Sequence, residues 1–493
     1  MRTGWVGYAP APLRHQCNKR VETHSWAYLH GSVTHKSGVR HRIQPGWLVC
    51  WDADAFPSAC PLCAMTSDVL FYGGTLVDPY AERTYAADVL IRDGEIAAIA
   101  SSIDPPENIL RVDCSGRYLS PGWMDMHVHL REPGYEYKET IATGTQAAAF
   151  GGFTEVACMP NTNPPLDSKA LVAYVKQAAN GPVAVHPIAC VSRGRAGKQL
   201  VDMAQLLEAG AVAFSDDGAP VYDAQLMRRA LEYAAHLDRP IINHMEAPAL
   251  NPNGHMHEGE VSARLGIPGI PACSEEVMIA RDIELARTTG GHVHVAHIAT
   301  ARGVELVRRA QADGLPVTAE VCTHHLALTD AAVEASGFST NTKMHPPLRS
   351  AADVEALKAG VADGTIEVLC TDHAPHAPRE KDVPFTEAPN GILGLETAWG
   401  LIGRELLDTE RCSLIQVVQA LTVAPRRILR LPQPELAQGA AANLTVFDPD
   451  TRWTFTEADI YSKSRNTPFV DDELIGKAHG IYHRGQWVPC ASA

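Results

Sequence analysis

The sequence predicts an α/β protein: a (β/α)8 TIM-like barrel with a small composite β domain built from the N- and C-terminal flanks. Three observations predict it. Eight apolar, strand-like runs recur between residues 122 and 371. Helix-like stretches separate them, and polar residues gather at the C-terminal ends of the runs. Such alternation marks a parallel sheet covered by helices. Eight units over about 300 residues is the count of a barrel.

The runs are Gly122–His129, Phe153–Met159, Val183–Cys190, Ala211–Phe214, Pro240–His244, His292–His297, Pro316–Cys322 and Ile366–Thr371. Helical patterns include Lys138–Phe150, Lys169–Ala179, Ala224–His236, Ser274–Arg287, Val304–Ala312 and Val354–Ala362. This places the barrel over 119–429. Residues 65–118 and 430–493 read as short strands with turns, for example Ala87–Gly94 and Ala442–Phe447, and are expected to pair into one small β domain.

Composition narrows the function classes. A length of 493 residues suits one large barrel plus a satellite. With 45% hydrophobic and 20% charged residues the chain reads as soluble and globular. No apolar run is long enough to predict a membrane span. No apolar core with a small-residue cleavage site marks a secretory signal. A net charge of −15 argues against nucleic acid as partner. The 12 cysteines are scattered, several within apolar segments, as expected of reduced thiols in a cytoplasmic protein.

Residues 1–64 differ from the rest. They hold four of the eight Trp and four of the 12 Cys, carry net charge +4, and show no periodicity. They read as a poorly ordered extension, translated from upstream of a start at Met65. The alternative is a small zinc module on Cys60-x-x-Cys63 with Cys17, Cys50 or nearby His.

The chemistry is expected at the strand ends. His127/His129, Asn161, Asp216/Asp217, His244/Glu246, His297, His324/His325 and Asp372/His376 all fall there. Residues i and i+2 of a strand share a face, so His127 and His129 can aim two imidazoles at one point, and zinc accepts imidazole nitrogen and carboxylate oxygen. A lone His-x-His is equally well a solvated strand end. Its surroundings decide the matter.

Pro121-Gly122-x-x-Asp125-x-His127-x-His129-x-Arg131-x-Pro133-Gly134 resembles the first-strand signature of class I dihydroorotases, within the cyclic amidohydrolases. Thr371-Asp372-His373-Ala374-Pro375-His376 resembles that family's eighth-strand signature. Met159–Thr162, Phe214–Gly218 and Gly391–Thr397 also match, and the likeness runs from Met65 to about Pro489.

The resemblance implies a cytoplasmic enzyme opening the ring of (S)-dihydroorotate to N-carbamoyl-L-aspartate, with two Zn2+ per subunit. His127, His129 and Asp372 would hold one ion, His244 and His297 the other, and Asp217 would bridge them. Asp372 would also be the general base. Arg131 and Asn161 would bind the substrate carboxylate, helped by His376 and the Asn390-Gly391 backbone. The family usually carries Asn where this chain has His345, which would contact the substrate ring. A homo-oligomer, a dimer, is implied, and association with aspartate carbamoyltransferase stays open. Hydantoinases and allantoinases share the His-x-His start but typically bridge their metals with a carboxylated strand-four lysine. No lysine lies between Lys198 and Lys343, which favours dihydroorotase. A non-catalytic partner of the carbamoyltransferase would have lost ligands that this chain keeps.

The remaining polar residues have blander readings. Asp216 reads as a helix cap and His292 and His294 as structural. His373 reads as a neighbour of the ligands, and Cys322 and Cys370 as core. His324 and His325 read as packing, with one of them lining the pocket as the alternative.

Overall fold

The computed structural model describes residues 68–250 and 252–490. The expectations for residues 1–64, extension or zinc module, lie outside the described residues.

Each of the eight expected runs contains a strand. These are β1 (Trp123–Val128), β2 (Phe153–Cys158), β3 (Ala184–Pro187), β4 (Phe214–Ser215), β5 (Ile241–Asn243), β6 (Val293–Val295), β7 (Val317–Cys322) and β8 (Val368–Cys370). Helices intervene: α1 (Ile141–Phe150), α2 (Lys169–Ala178), α3 (Met203–Glu208), α4 (Ala224–His236), α5 (Cys273–Thr289), α6 (Ala301–Ala312) and α7 (Ala351–Ala362), with α8 (Leu414–Leu429) after β8.

All pairings among these strands are parallel. β1, β2 and β3 form one sheet, and β4 to β8 a second in sequential order. Isolated parallel bridges join the two sheets at both ends: Ala189 with Phe214, and Val128 with His373. β4 is shorter than its apolar run because residues 211–213 first follow the preceding strand. There Val212 N donates to Pro187 O and Ala189 N to Ala213 O, both at 3.0 Å.

Local chemistry sets the helix starts. Thr140 caps α1 in a capping box with Thr143, so the helix begins three residues later than its apolar pattern. Asp223 and Thr300 accept the first amides of α4 and α6, and Ser350 with Asp353 does the same for α7.

One apolar core lies where helices meet strands and includes Val128, Phe153, Val172, Leu231, Ile279, Val293 and Val307. A second gathers Met124, Met126, Ala157, Met159, Ile188, Ile242 and Val368 with Ile428 and Leu429 of α8. Burying one such side chain contributes about 1.5–3 kcal/mol.

The flanks meet in one sheet. Leu444–Thr454 pairs antiparallel with Tyr118–Pro121, Leu444 opposite Pro121, in a six-stranded sheet that also holds Thr75–Asp78, Arg83–Ala86, Glu473–His483 and Gln486–Pro489. Val69, Phe71, Val89 and Ile91 from the N-terminal side pack with Leu444, Val446 and Tyr482 from the C-terminal side.

Candidate metal centre

His127 lies next to the end of β1, and two residues later His129 follows it toward the same two carboxylates, Asp217 and Asp372. Both Nε2 atoms face Asp217, at 3.5 Å to Oδ1 from His127 and 3.6 Å to Oδ2 from His129. Asp217 follows β4, and its amide is held by Ser215 Oγ at 2.9 Å. His244, after β5, brings Nδ1 to 3.7 Å from Asp217 Oδ1, and His297, after β6, brings Nε2 to 3.6 Å. Asp372, after β8, sets Oδ1 2.7 Å from His129 Nε2 and 3.6 Å from His127 Nε2. Four imidazoles and two carboxylates therefore converge from five strand ends.

Backbone strain helps aim them. Arg131, His297 and Asp372 adopt positive φ of 61°, 32° and 47°. Left-handed backbone at non-glycine residues costs about 1–3 kcal/mol each and persists where the surroundings enforce it.

The donors fit a cation. His127 Nε2, Asp217 Oδ1 and His297 Nδ1 are buried without a hydrogen-bond partner. His127, His129 and Asp372 form one group of ligand atoms within 4.8 Å of one another, and His127, Asp217 and His297 form another. An all-nitrogen-and-oxygen set suits a hydrolytic divalent metal. Charge complementarity agrees. Burial opposes it, but the His127, His244 and His297 side chains hold Asp217 well below the usual carboxylate range. Burial likewise opposes ionisation of Asp372, yet His129 and His127 hold it low.

Carboxylates behind the ligands fix ring orientation. Glu320 of β7 binds His127 Nδ1 and also lies 3.4 Å from His294 Nε2. Glu246 sits between His244 Nε2, at 3.2 Å, and His345 Nε2. Sequence reasoning gave neither glutamate a role. For Glu320 the signal was present: a glutamate inside an apolar strand needs a buried partner.

The cavity above these groups has a volume of about 270 Å³ and is lined by His129, Arg131, Asn161, Asp217, His244, His297, His345, Asp372, His376, Asn390 and Gly391, among others. Asn161 has work of its own there. Its Oδ1 lies 2.8 Å from His129 Nδ1 and its Nδ2 donates to Asp217 Oδ2 at 3.4 Å. Arg131 Nε donates to Pro375 O at 3.1 Å. His376 Nε2 donates to Asn390 O at 2.8 Å. Burial, then Arg131 and Lys138, push His376 down to about 2, so it stays neutral. Gly391 has φ of 119°, and a Cβ there would sit 2.6 Å from that of Ala374. His345 stacks on His244 with ring centroids 5.2 Å apart.

Some expectations need correcting. Asp216 caps no helix; it accepts from the amides of Val191 and Ser192 and from Ser192 Oγ, tying the chain after β3 to β4. Neither His324 nor His325 lines the cavity. His292 and His294 share Thr318 Oγ1, each at 2.8 Å, in keeping with a structural role. His373 lies 3.4 Å from Glu139 and accepts from Gly394 N, outside the ligand groups.

A family model described as dihydro-orotase-like matches residues 116–303. A dihydroorotase of Pelotomaculum thermopropionicum is 51% identical over 409 residues, covering 83% of this chain and 95% of that protein. A dihydroorotase of Anaeromyxobacter sp. strain K is 50% identical over 418 residues, with the same coverage. Among solved structures, L-hydantoinase from Arthrobacter aurescens shares the fold, with TM-score 0.76 at 24% identity over 86% of this chain and 96% of that one. Dihydropyrimidinase from Brevibacillus agri gives TM-score 0.74 at 23% identity, over 85% and 95%.

Proposed function

The chain belongs to the dihydroorotase family, hydrolases of cyclic amides, and from that premise we propose how its centre works. The reaction is the reversible hydrolysis of (S)-dihydroorotate to N-carbamoyl-L-aspartate, the third step of pyrimidine synthesis. His127, His129 and Asp372 would hold one zinc ion and His244 and His297 a second, with Asp217 shared between them. The observation that carries this reading is the position of Asp217, whose carboxylate is within 3.7 Å of four imidazoles.

Zinc so held supplies Lewis acidity toward the ring carbonyl and lowers the pKa of an attacking water. The remaining steps belong to side chains. Asp372 takes the proton of the water and returns it to the leaving amide nitrogen. Arg131 offers a planar fork to the substrate carboxylate. Asn161 shares that recognition while steadying His129 and Asp217. His376, kept neutral, and the Asn390-Gly391 backbone complete the carboxylate side, and His345 faces the ring.

The two end bridges support closure of the eight units into a (β/α)8 barrel over 119–429. The mixed sheet supports a composite β domain from 65–118 and 430–493. No helix among the described residues is long and apolar enough to cross a membrane. A cytoplasmic homodimer is the assembly and location that accompany this reading.

Reconstitution tests it. Metal-free protein titrated with zinc should regain dihydroorotate turnover, saturating at two ions per His/Asp centre. Full turnover in a chelator-stripped sample would refute it.

A further inference from the structure

At the C-terminal end of β7 lies a second convergence of ligand atoms that the reaction does not use. Cys322, His324 and His325 each place a donor within 4.8 Å of the others, and all three are buried. The sulfur of Cys370, opposite Cys322 in the β7–β8 register, lies 3.8 Å from that of Cys322 but groups with His127 and Glu320 rather than with the two histidines.

The imidazoles here have few partners. His324 has no hydrogen bond at either ring nitrogen, although it is only 2% exposed. His325 donates from Nε2 to Pro346 O at 3.0 Å, which leaves Nδ1 as a lone pair, and Nδ1 has no partner. A ligating histidine typically has this arrangement, one nitrogen fixed by a carbonyl and the other free for metal. Burying two polar nitrogens of one ring without partners is costly. Burial drives His324 down to about 4, so it remains the neutral form that binds metal. Nothing in the cavity accounts for these groups, since neither histidine lines it.

We propose that Cys322, His324 and His325 form an additional site for a thiophilic divalent ion of zinc's preference. A thiolate among the donors sets this group apart from the nitrogen-and-oxygen set at Asp217. On binding, the Cys322 thiol gives its proton to solvent and the resulting thiolate forms the metal–sulfur bond.

Cobalt(II) provides the test, because a thiolate ligand adds a near-ultraviolet charge-transfer band that histidine and aspartate ligands do not. Metal-free full-length protein loaded with cobalt should show that band. It should persist in Cys60→Ser, vanish in Cys322→Ser, and in His324→Gln need at least tenfold more cobalt to reach half-maximum. No band in the wild-type chain, or a band that survives Cys322→Ser, overturns the proposal. Should Cys322→Ser fail to fold by circular dichroism, His324→Gln decides: unchanged cobalt affinity overturns it. The readout is independent of turnover, so it stands or falls separately from the dihydroorotase reading.

Discussion

Glu320, on β7, hydrogen-bonds Nδ1 of His127, on β1, and so leaves Nε2 as the nitrogen that faces Asp217. Both side chains are fully buried. The pair sets the tautomer and angle of the first ligand before any metal arrives. Burial opposes it, but Glu320 and Asp217 carry His127 well above its ordinary value.

Glu320→Gln should therefore weaken metal binding about 10–100-fold, the usual effect of losing such a carboxylate. Competition with a fluorescent chelator measures it. Unchanged affinity would show that His127 is oriented by packing alone.

Asp372→Ala should lower kcat by about 10²–10⁴-fold or more, because it removes the proton carrier and one ligand together. The far-ultraviolet circular dichroism and the thermal midpoint should stay close to those of the parent, since Asp372 sits at the cavity rather than in an apolar core. Asp372→Asn separates ligation from proton transfer: metal content falls less than turnover.

Arg131→Ala should raise KM about 10–100-fold with a smaller change in kcat, as loss of about 1.5–3 kcal/mol of charge-assisted hydrogen bonding implies. Arg131→Lys should recover little, because a point charge does not replace a fork. A kcat effect larger than the KM effect would move Arg131 from binding into the chemical step.

Glu155 controls acid stability far from the cavity. It meets His186 Nε2 at 2.7 Å, Arg426 Nη2 at 2.9 Å and Asn443 Nδ2 at 2.9 Å, joining β2 to β3, α8 and the C-terminal flank. Burial opposes its ionisation, but His186 and Arg426 outweigh that and hold Glu155 well below its ordinary 4.5. A depressed folded value stabilises the protein fully above about 4.5, and that stability is lost as pH falls toward the folded value. Glu155→Gln should thus cost about 3 kcal/mol near neutrality, and the penalty should shrink as the parent is acidified below 4.5. Denaturant unfolding across pH measures both. A penalty independent of pH would mean that Glu155 acts through packing.

The candidate ligands were legible because each lies at or near the end of a strand whose apolar run is unmistakable. His129, His244 and His297 close such runs, His127 sits two residues inside the first, and Asp217 and Asp372 each follow one. What was not legible is what stands behind them. Glu320 and Glu246 come from strands whose neighbours in space only the parallel register decides. Asp216 was misread because a helix cap is a local pattern, whereas its real partners, Val191 and Ser192, lie 25 and 24 residues away. Asn161 was read for the substrate alone, since its contacts with His129 and Asp217 depend on how three loops meet. His345 illustrates the same limit. The departure from the family's usual Asn was visible, but its pairing with Glu246 and its stacking on His244 required the folded chain.

The central claim is that this centre opens dihydroorotate rather than a related ring. Side-by-side kcat/KM values for (S)-dihydroorotate, hydantoin and allantoin, on zinc-loaded protein of known metal content, test it most directly. The account predicts that dihydroorotate is preferred by orders of magnitude, with the preference collapsing in Arg131→Ala. Faster opening of hydantoin or allantoin would contradict it.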